Sequence, residues 1–78
     1  ENMEEMSSRP LDALNQARNK TVMVELKNNY RYVGKLNAFD IHVNIVLNDA
    51  EEYYNGELKR KVGKVFIRGD TITIITPA

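Results

Sequence analysis

The stretch Thr21–Asp40, "TVMVELKNNYRYVGKLNAFD", decides the fold. Val22, Val24 and Leu26 alternate with Thr21, Met23 and Glu25, the period-two pattern of a half-buried strand. Asn28-Asn29 follows, and asparagine tolerates the positive φ that a tight hairpin turn requires. A second strand then runs towards Asp40 with Gly34 in its middle. A glycine inside a strand marks a sharp bend or a close backbone approach, and bends are how a small sheet curls into a barrel.

Upstream of this hairpin, residues 1–8 carry no periodicity and are expected to form a disordered tail, which leaves 9–78 as one domain. "SSRPLDALNQARN" reads as a short helix of about ten residues, with Ser8 as its N-cap, Pro10 in the first turn and Asp12 at the positive helix end. Leu11, Leu14 and Ala17 or Arg18 share one side. So short a helix is marginal alone in water and must dock on something.

Downstream, Asp40 closes the second strand at a turn and "HVNIVLNDAEEY" supplies a third. Asn55-Gly56 is another hairpin signal, leading into "LKRKVGKVFIR". Arg68-Gly69-Asp70 breaks the chain again before "TITIIT", the last strand, which Pro77 stops. The expected architecture is mainly β: a short N-terminal α-helix, then a strongly bent five-stranded antiparallel sheet forming a small open barrel. A barrel that fails to close exposes strand edges, and edges are covered, charged or paired. Pairing the fourth strand of one copy with the fifth of the next is a head-to-tail contact, which closes into a ring.

The chain has 78 residues, no cysteine and a single histidine, His42. A domain of this size buries only about 60% of the surface its unfolded chain exposes. Disulfides and thiolate metal sites are excluded, a histidine metal cluster has too few ligands, and self-association remains as the staple. Absence of cysteine fits a reducing compartment. The segment "ENMEEMSSRP" has acidic residues and no apolar core, unlike a secretory signal, and no apolar run approaches the roughly 20 residues of a membrane span. A soluble, cytoplasmic protein is expected, with no membrane partner and no cofactor.

Eleven basic and eleven acidic side chains give a net charge of zero. Bulk electrostatic binding of long duplexes needs a basic protein, so DNA is not expected and any nucleic-acid binding must come from local placement. Catalysis is not expected either. Ser7 and Ser8 lie in the tail with no base beside them. Asp40, Asp49 and Asp70 fall at strand ends, where aspartate caps turns, and the four glycines stand alone rather than forming a phosphate loop.

Two turn segments carry the remaining chemistry. "FDIHVN" (39–44) places His42 and Asn44 two apart, on one strand face, and "IRGD" (67–70) places Arg68 and Asp70 at another turn. Read alone, Arg68-Gly69-Asp70 spells an adhesion tripeptide, but its tight Ile-rich flanks do not make the flexible exposed loop that adhesion needs. Imidazole and guanidinium are flat and stack on nucleobases, while an asparagine amide offers a donor and an acceptor to a base edge. If the turns are neighbours, a base fits between His42 and Arg68 with Asn44 on its edge. The alternative is that all three are ordinary turn residues, with Arg68 balancing Asp70.

In order and spacing, "VMVELKNNYRYVGKLNAFDIHVNIVLNDAEE" resembles the first Sm motif and "GKVFIRGDTITII" the second, a likeness running from about Arg9 to Pro77. With "RPLDAL", "FDIHVN", "LNDAEE" and "IRGD" in place, the chain resembles an archaeal member of the Sm/LSm family. The resemblance implies an Sm-like fold and a homo-oligomeric ring, a heptamer, joined by the fourth and fifth strands. It also implies binding of single-stranded U-rich RNA near the pore, in RNA processing or ribonucleoprotein assembly. His42 and Arg68 would then stack on a uracil and Asn44 bond its edge, with Asp40 and Asp70 holding them and Gly69 letting the backbone approach. Val43, where many relatives carry Met, is expected to pack inward. A ring scaffold without RNA, or a small barrel that docks peptides by strand addition, are the rival readings.

Overall fold

The computed structural model describes residues 9–78. A helix α1 (Pro10–Gln16) precedes five strands, β1 (Thr21–Leu26), β2 (Tyr30–Phe39), β3 (Ile45–Tyr54), β4 (Glu57–Ile67) and β5 (Ile72–Pro77), with a 3₁₀ turn at Gly69–Thr71 between the last two. All strands pair antiparallel in one sheet of order β4-β3-β2-β1-β5. The expected fold class therefore holds. The sheet is not closed, since β4 and β5 are its two edges.

The β1–β2 hairpin forms as its residues require. Val22 and Val24 are buried on one face of β1, and Asn29 adopts φ 67° in the turn to β2. Gly34 serves both purposes expected of it. A Cβ there would lie 2.9 Å from the Asn48 carbonyl oxygen and 3.0 Å from the Ala50 Cα. The β2–β3 register also shifts between Val33 and Lys35, so the strand bends where the two backbones come closest.

That curl wraps a core of Val22, Val24, Leu36, Ile45, Leu47, Ala50 and Ile67. Leu36 and Leu47 face each other in register, both fully buried. Each such side chain contributes about 1.5–3 kcal/mol relative to leaving it in water. Leu14 of α1 and Ala17 at its C-cap pack against this core, which is what the helix docks on. Val43 packs there too, as expected.

The helix departs from expectation at both ends. Its N-cap is Arg9, with no side-chain capping bond; Ser8 and the rest of the expected tail lie outside the described residues. Arg9 instead pairs with Asp12 at 2.9 Å. The helix spans 7 residues rather than about ten, because β2 competes for its last turn. The Asn19 N–H donates to the Leu36 carbonyl at 2.7 Å and the Leu36 N–H to that of Lys20 at 3.0 Å, which peels the chain off the helix axis.

Candidate nucleic-acid interface

The loop from Asp40 to Asn44 joins β2 to β3. His42 and Asn44 therefore do not share a strand face, because β2 ends at Phe39 and β3 begins at Ile45. What brings them together is Asp40. Its Oδ1 accepts from the backbone N–H of His42 (2.9 Å) and of Asn44 (3.1 Å), while its Oδ2 accepts from the Asn44 side-chain amide (3.1 Å). An aspartate that bonds the backbone just ahead of it closes a turn that would otherwise fray. The Asn44 amide, followed by these backbone donors, holds the Asp40 carboxyl below its ordinary value of 3.8. The loop also forces Val43 to φ 61°, a conformation that β-branched residues avoid, and its inward packing on the core helps to hold it there.

The second turn meets the first through a contact that residue types alone did not reveal. The Gly69 N–H donates to Asn44 Oδ1 at 2.7 Å, across 25 residues of chain. Gly69 is needed for closeness rather than for φ, since its φ is not in the left-handed region. A Cβ on it would collide with the His42 carbonyl oxygen and come within 2.9 Å of the Val43 carbonyl carbon. Within this turn, the Thr71 hydroxyl donates to the Arg68 carbonyl at 2.7 Å and Arg68 Nη2 pairs with Asp70 Oδ2 at 3.1 Å. Thr71 was not singled out from the sequence; a threonine three residues beyond the carbonyl that it bonds, here that of Arg68, is the local signal for such a bond.

The two turns together enclose a cleft of about 450 Å³ lined by His42, Asn44, Arg68, Gly69 and Asp70. Asp40 stands behind it and holds Asn44. Asn44 uses one amide N–H on Asp40 and one Oδ1 lone pair on Gly69, which leaves one donor and one acceptor open to the cleft. His42 and Arg68 are both exposed at its walls. The cleft therefore offers two flat groups and an amide of fixed orientation. Among the described residues, no group of three His, Cys, Asp or Glu side chains is placed to hold a metal ion, and no helix is long and apolar enough to cross a membrane.

Known proteins with this organisation are close at hand. An Sm-like protein of Archaeoglobus fulgidus is 52% identical over 73 residues, covering 94% of this chain and 95% of its own. One from Methanococcoides burtonii is 47% identical over 92% of this chain and 100% of its own. Among solved structures, the Pyrococcus abyssi Sm protein in complex with a uridine heptamer superposes with a TM-score of 0.86 at 42% identity, over 91% of this chain and 100% of that one. The SmAP1 heptamer of P. aerophilum gives 0.82 at 35% identity, over 88% and 92%. The LSM domain model matches residues 12–77, from the first turn of α1 to the end of β5, and so takes in both turns of the cleft. A family of RNA-binding ring proteins agrees with the non-enzymatic reading of the residues. With two motifs, one sheet order and close relatives in accord, this chain belongs to the LSM family of Sm-like proteins.

Proposed function

We propose that this protein assembles into a cytoplasmic homo-heptameric ring and binds single-stranded U-rich RNA at the pore, in RNA processing or ribonucleoprotein assembly. Each subunit offers one uridine pocket. The observation that carries this reading is the fixed Asn44 amide. Uracil presents an acceptor (O4) beside a donor (N3–H), the complement of the donor and acceptor that Asn44 leaves free. His42 and Arg68 close on the two faces of the base, and Asp70 steers Arg68 through their 3.1 Å ion pair. The relative from P. abyssi was solved with a uridine heptamer, which supports the choice of base.

Ring formation is supported by the two sheet edges. Phe66 on β4 is 75% exposed and Ile74 on β5 is 51% exposed, too much apolar surface for edges that face water. Phe66 stands in a cross-strand row with Val46 and Ala38. A β5 strand from the next copy, added beside β4, extends that row with Ile74. The heptameric relatives support seven copies.

Native mass spectrometry with oligo-U of increasing length tests both parts. A ring of seven whose affinity climbs with length is the expected result, since repeated weak sites gain through effective concentration. A stable monomer would refute the ring. A length-independent affinity, or one that Arg68→Ala leaves unchanged, would refute the pocket and favour a scaffold role.

A further inference from the structure

The β1–β2 and β3–β4 turns lie side by side, tied by the Asn55 N–H donating to the Asn29 carbonyl at 3.0 Å. Between them is a second cleft, of about 250 Å³, with Glu25, Asn29, Tyr30, Arg31 and Asn55 among its walls. Glu25 and Arg31 stand directly opposite each other on β1 and β2. Opposite charges in that position normally pair. Here they do not: among the described residues no ion pair or hydrogen bond engages the Glu25 carboxylate. Arg31 leans away, its guanidinium 5.3 Å from the centre of the Tyr53 ring and its Nη1 3.4 Å from Met23 Sδ. The Tyr53 hydroxyl is committed to Glu51. The side-chain amides of Asn29 and Asn55 make no hydrogen bond among the described residues.

An unpaired carboxylate, beside a guanidinium that has Nη1 on Met23 and its other N–H groups without a partner among the described residues, selects by exclusion. The carboxylate repels a phosphate, and the guanidinium repels a lysine or arginine from a partner protein. What fits is a neutral, planar group with N–H donors on one edge and acceptors on the adjoining one. Guanine has that pattern: N1–H and the N2 amino group side by side for Glu25, and O6 and N7 for Arg31, the pairing by which arginine reads guanine elsewhere. Uracil has a single N–H between two carbonyls and cannot satisfy both oxygens of the carboxylate.

We propose that the Glu25–Arg31 cleft is a second nucleobase site, selective for guanine in single-stranded RNA and separate from the uridine pocket. The inference rests on the protein being an RNA-binding ring, and the test separates the two. A ring carrying Asn44→Ala and Arg68→Ala is titrated by fluorescence anisotropy with two labelled, uridine-free octamers, one alternating A and G, the other alternating A and C. The A/G strand should bind roughly tenfold tighter. Inosine in place of guanosine, which removes only the N2 amino group, should erase most of that preference, as should the nearly isosteric Glu25→Gln. Equal binding of the two octamers, or a guanine preference that survives Glu25→Gln, overturns the proposal. Loss of oligo-U binding in the same doubly substituted ring, against the unsubstituted one, reports on the uridine pocket alone.

Discussion

Replacing Asp40 by Asn tests whether base choice comes from the orientation of a single amide. In the native loop Asn44 points its NH₂ at Asp40 Oδ2 and its oxygen at the Gly69 N–H. Cytosine presents the reverse of uracil, a donor (N4) beside an acceptor (N3), so a cytosine stacked in the same orientation as uracil can pair with Asn44 only if the amide rotates by half a turn. Rotation sets the NH₂ against the Gly69 N–H and the oxygen against a carboxylate. The lost Gly69 bond alone, a neutral pair, is worth about 0.5–1.5 kcal/mol. That converts to about two- to tenfold in favour of uracil per site, and the repulsion at Asp40 adds to it. In Asp40→Asn the new side chain keeps an oxygen for the backbone N–H groups of His42 and Asn44 but turns its own NH₂ towards Asn44, so either orientation of Asn44 now breaks one bond. The preference for uracil should fall to near parity. Anisotropy titrations with oligo-U and oligo-C of equal length, at one salt concentration, give the ratio. Removal of a negative charge raises affinity for both strands alike, so the ratio isolates the amide. A ratio unchanged by the substitution, in a ring of native mass, refutes the reasoning.

Gly69→Ala should push the two turns apart and break the Asn44 contact, lowering oligo-U affinity about tenfold or more while far-UV circular dichroism stays native; unchanged affinity would mean the close approach is dispensable. Tyr32→Phe removes the 2.6 Å bond to the buried Glu52 carboxylate and should cost about 1–2 kcal/mol in urea unfolding. Burial and this same bond push the Tyr32 hydroxyl up to about 12 from 10.0. The stabilisation is therefore complete below pH 10 and disappears as pH rises towards about 12, so the gap between wild type and Tyr32→Phe should close over that range. Tyr32 first and Arg60 second hold Glu52 below its ordinary 4.5, so the gap should also shrink as pH falls below that value; a gap constant across both ranges would contradict the assignment. Phe66→Asp or Ile74→Asp places a charge on an edge strand and should convert the ring to smaller species in light scattering, whereas an intact ring from both would show that these edges do not form the seam.

The fold was legible where local chemistry and tertiary demand agree. Alternation in β1, the Asn28-Asn29 turn and the bend at Gly34 all say the same thing that the sheet requires. It was illegible where packing overrides propensity. Nothing in the residue types announces that Val43 sits at φ 61° or that Asp49 and Gly63, inside strands, adopt φ 52° and 74°. Those bulges come from fitting three long strands around one core, with register shifts on both sides of β3. The helix end was hidden for the same reason, since its competitor, Leu36, is 16 residues beyond Lys20. At the candidate site, chemistry and spacing picked out His42, Asn44, Arg68 and Asp70, while the roles expected of Asp40 and Gly69 came with the resemblance to the Sm motifs. The Gly69-to-Asn44 bond could not, because it joins two turns through a backbone donor, and every residue but proline has one.

The 3₁₀ turn Gly69–Thr71 has one further property: it covalently joins β4 to β5, the two edges of the sheet. In the proposed ring these edges belong to different seams, one shared with the neighbour on the left and one with the neighbour on the right. A lesion in this short turn is thus felt by three subunits at once. When wild-type and altered copies are expressed together and mix at random, function should decline faster than the altered fraction rises. Genetically, such a lesion would behave as dominant, while a surface change elsewhere on the sheet would be silent in the same mixture.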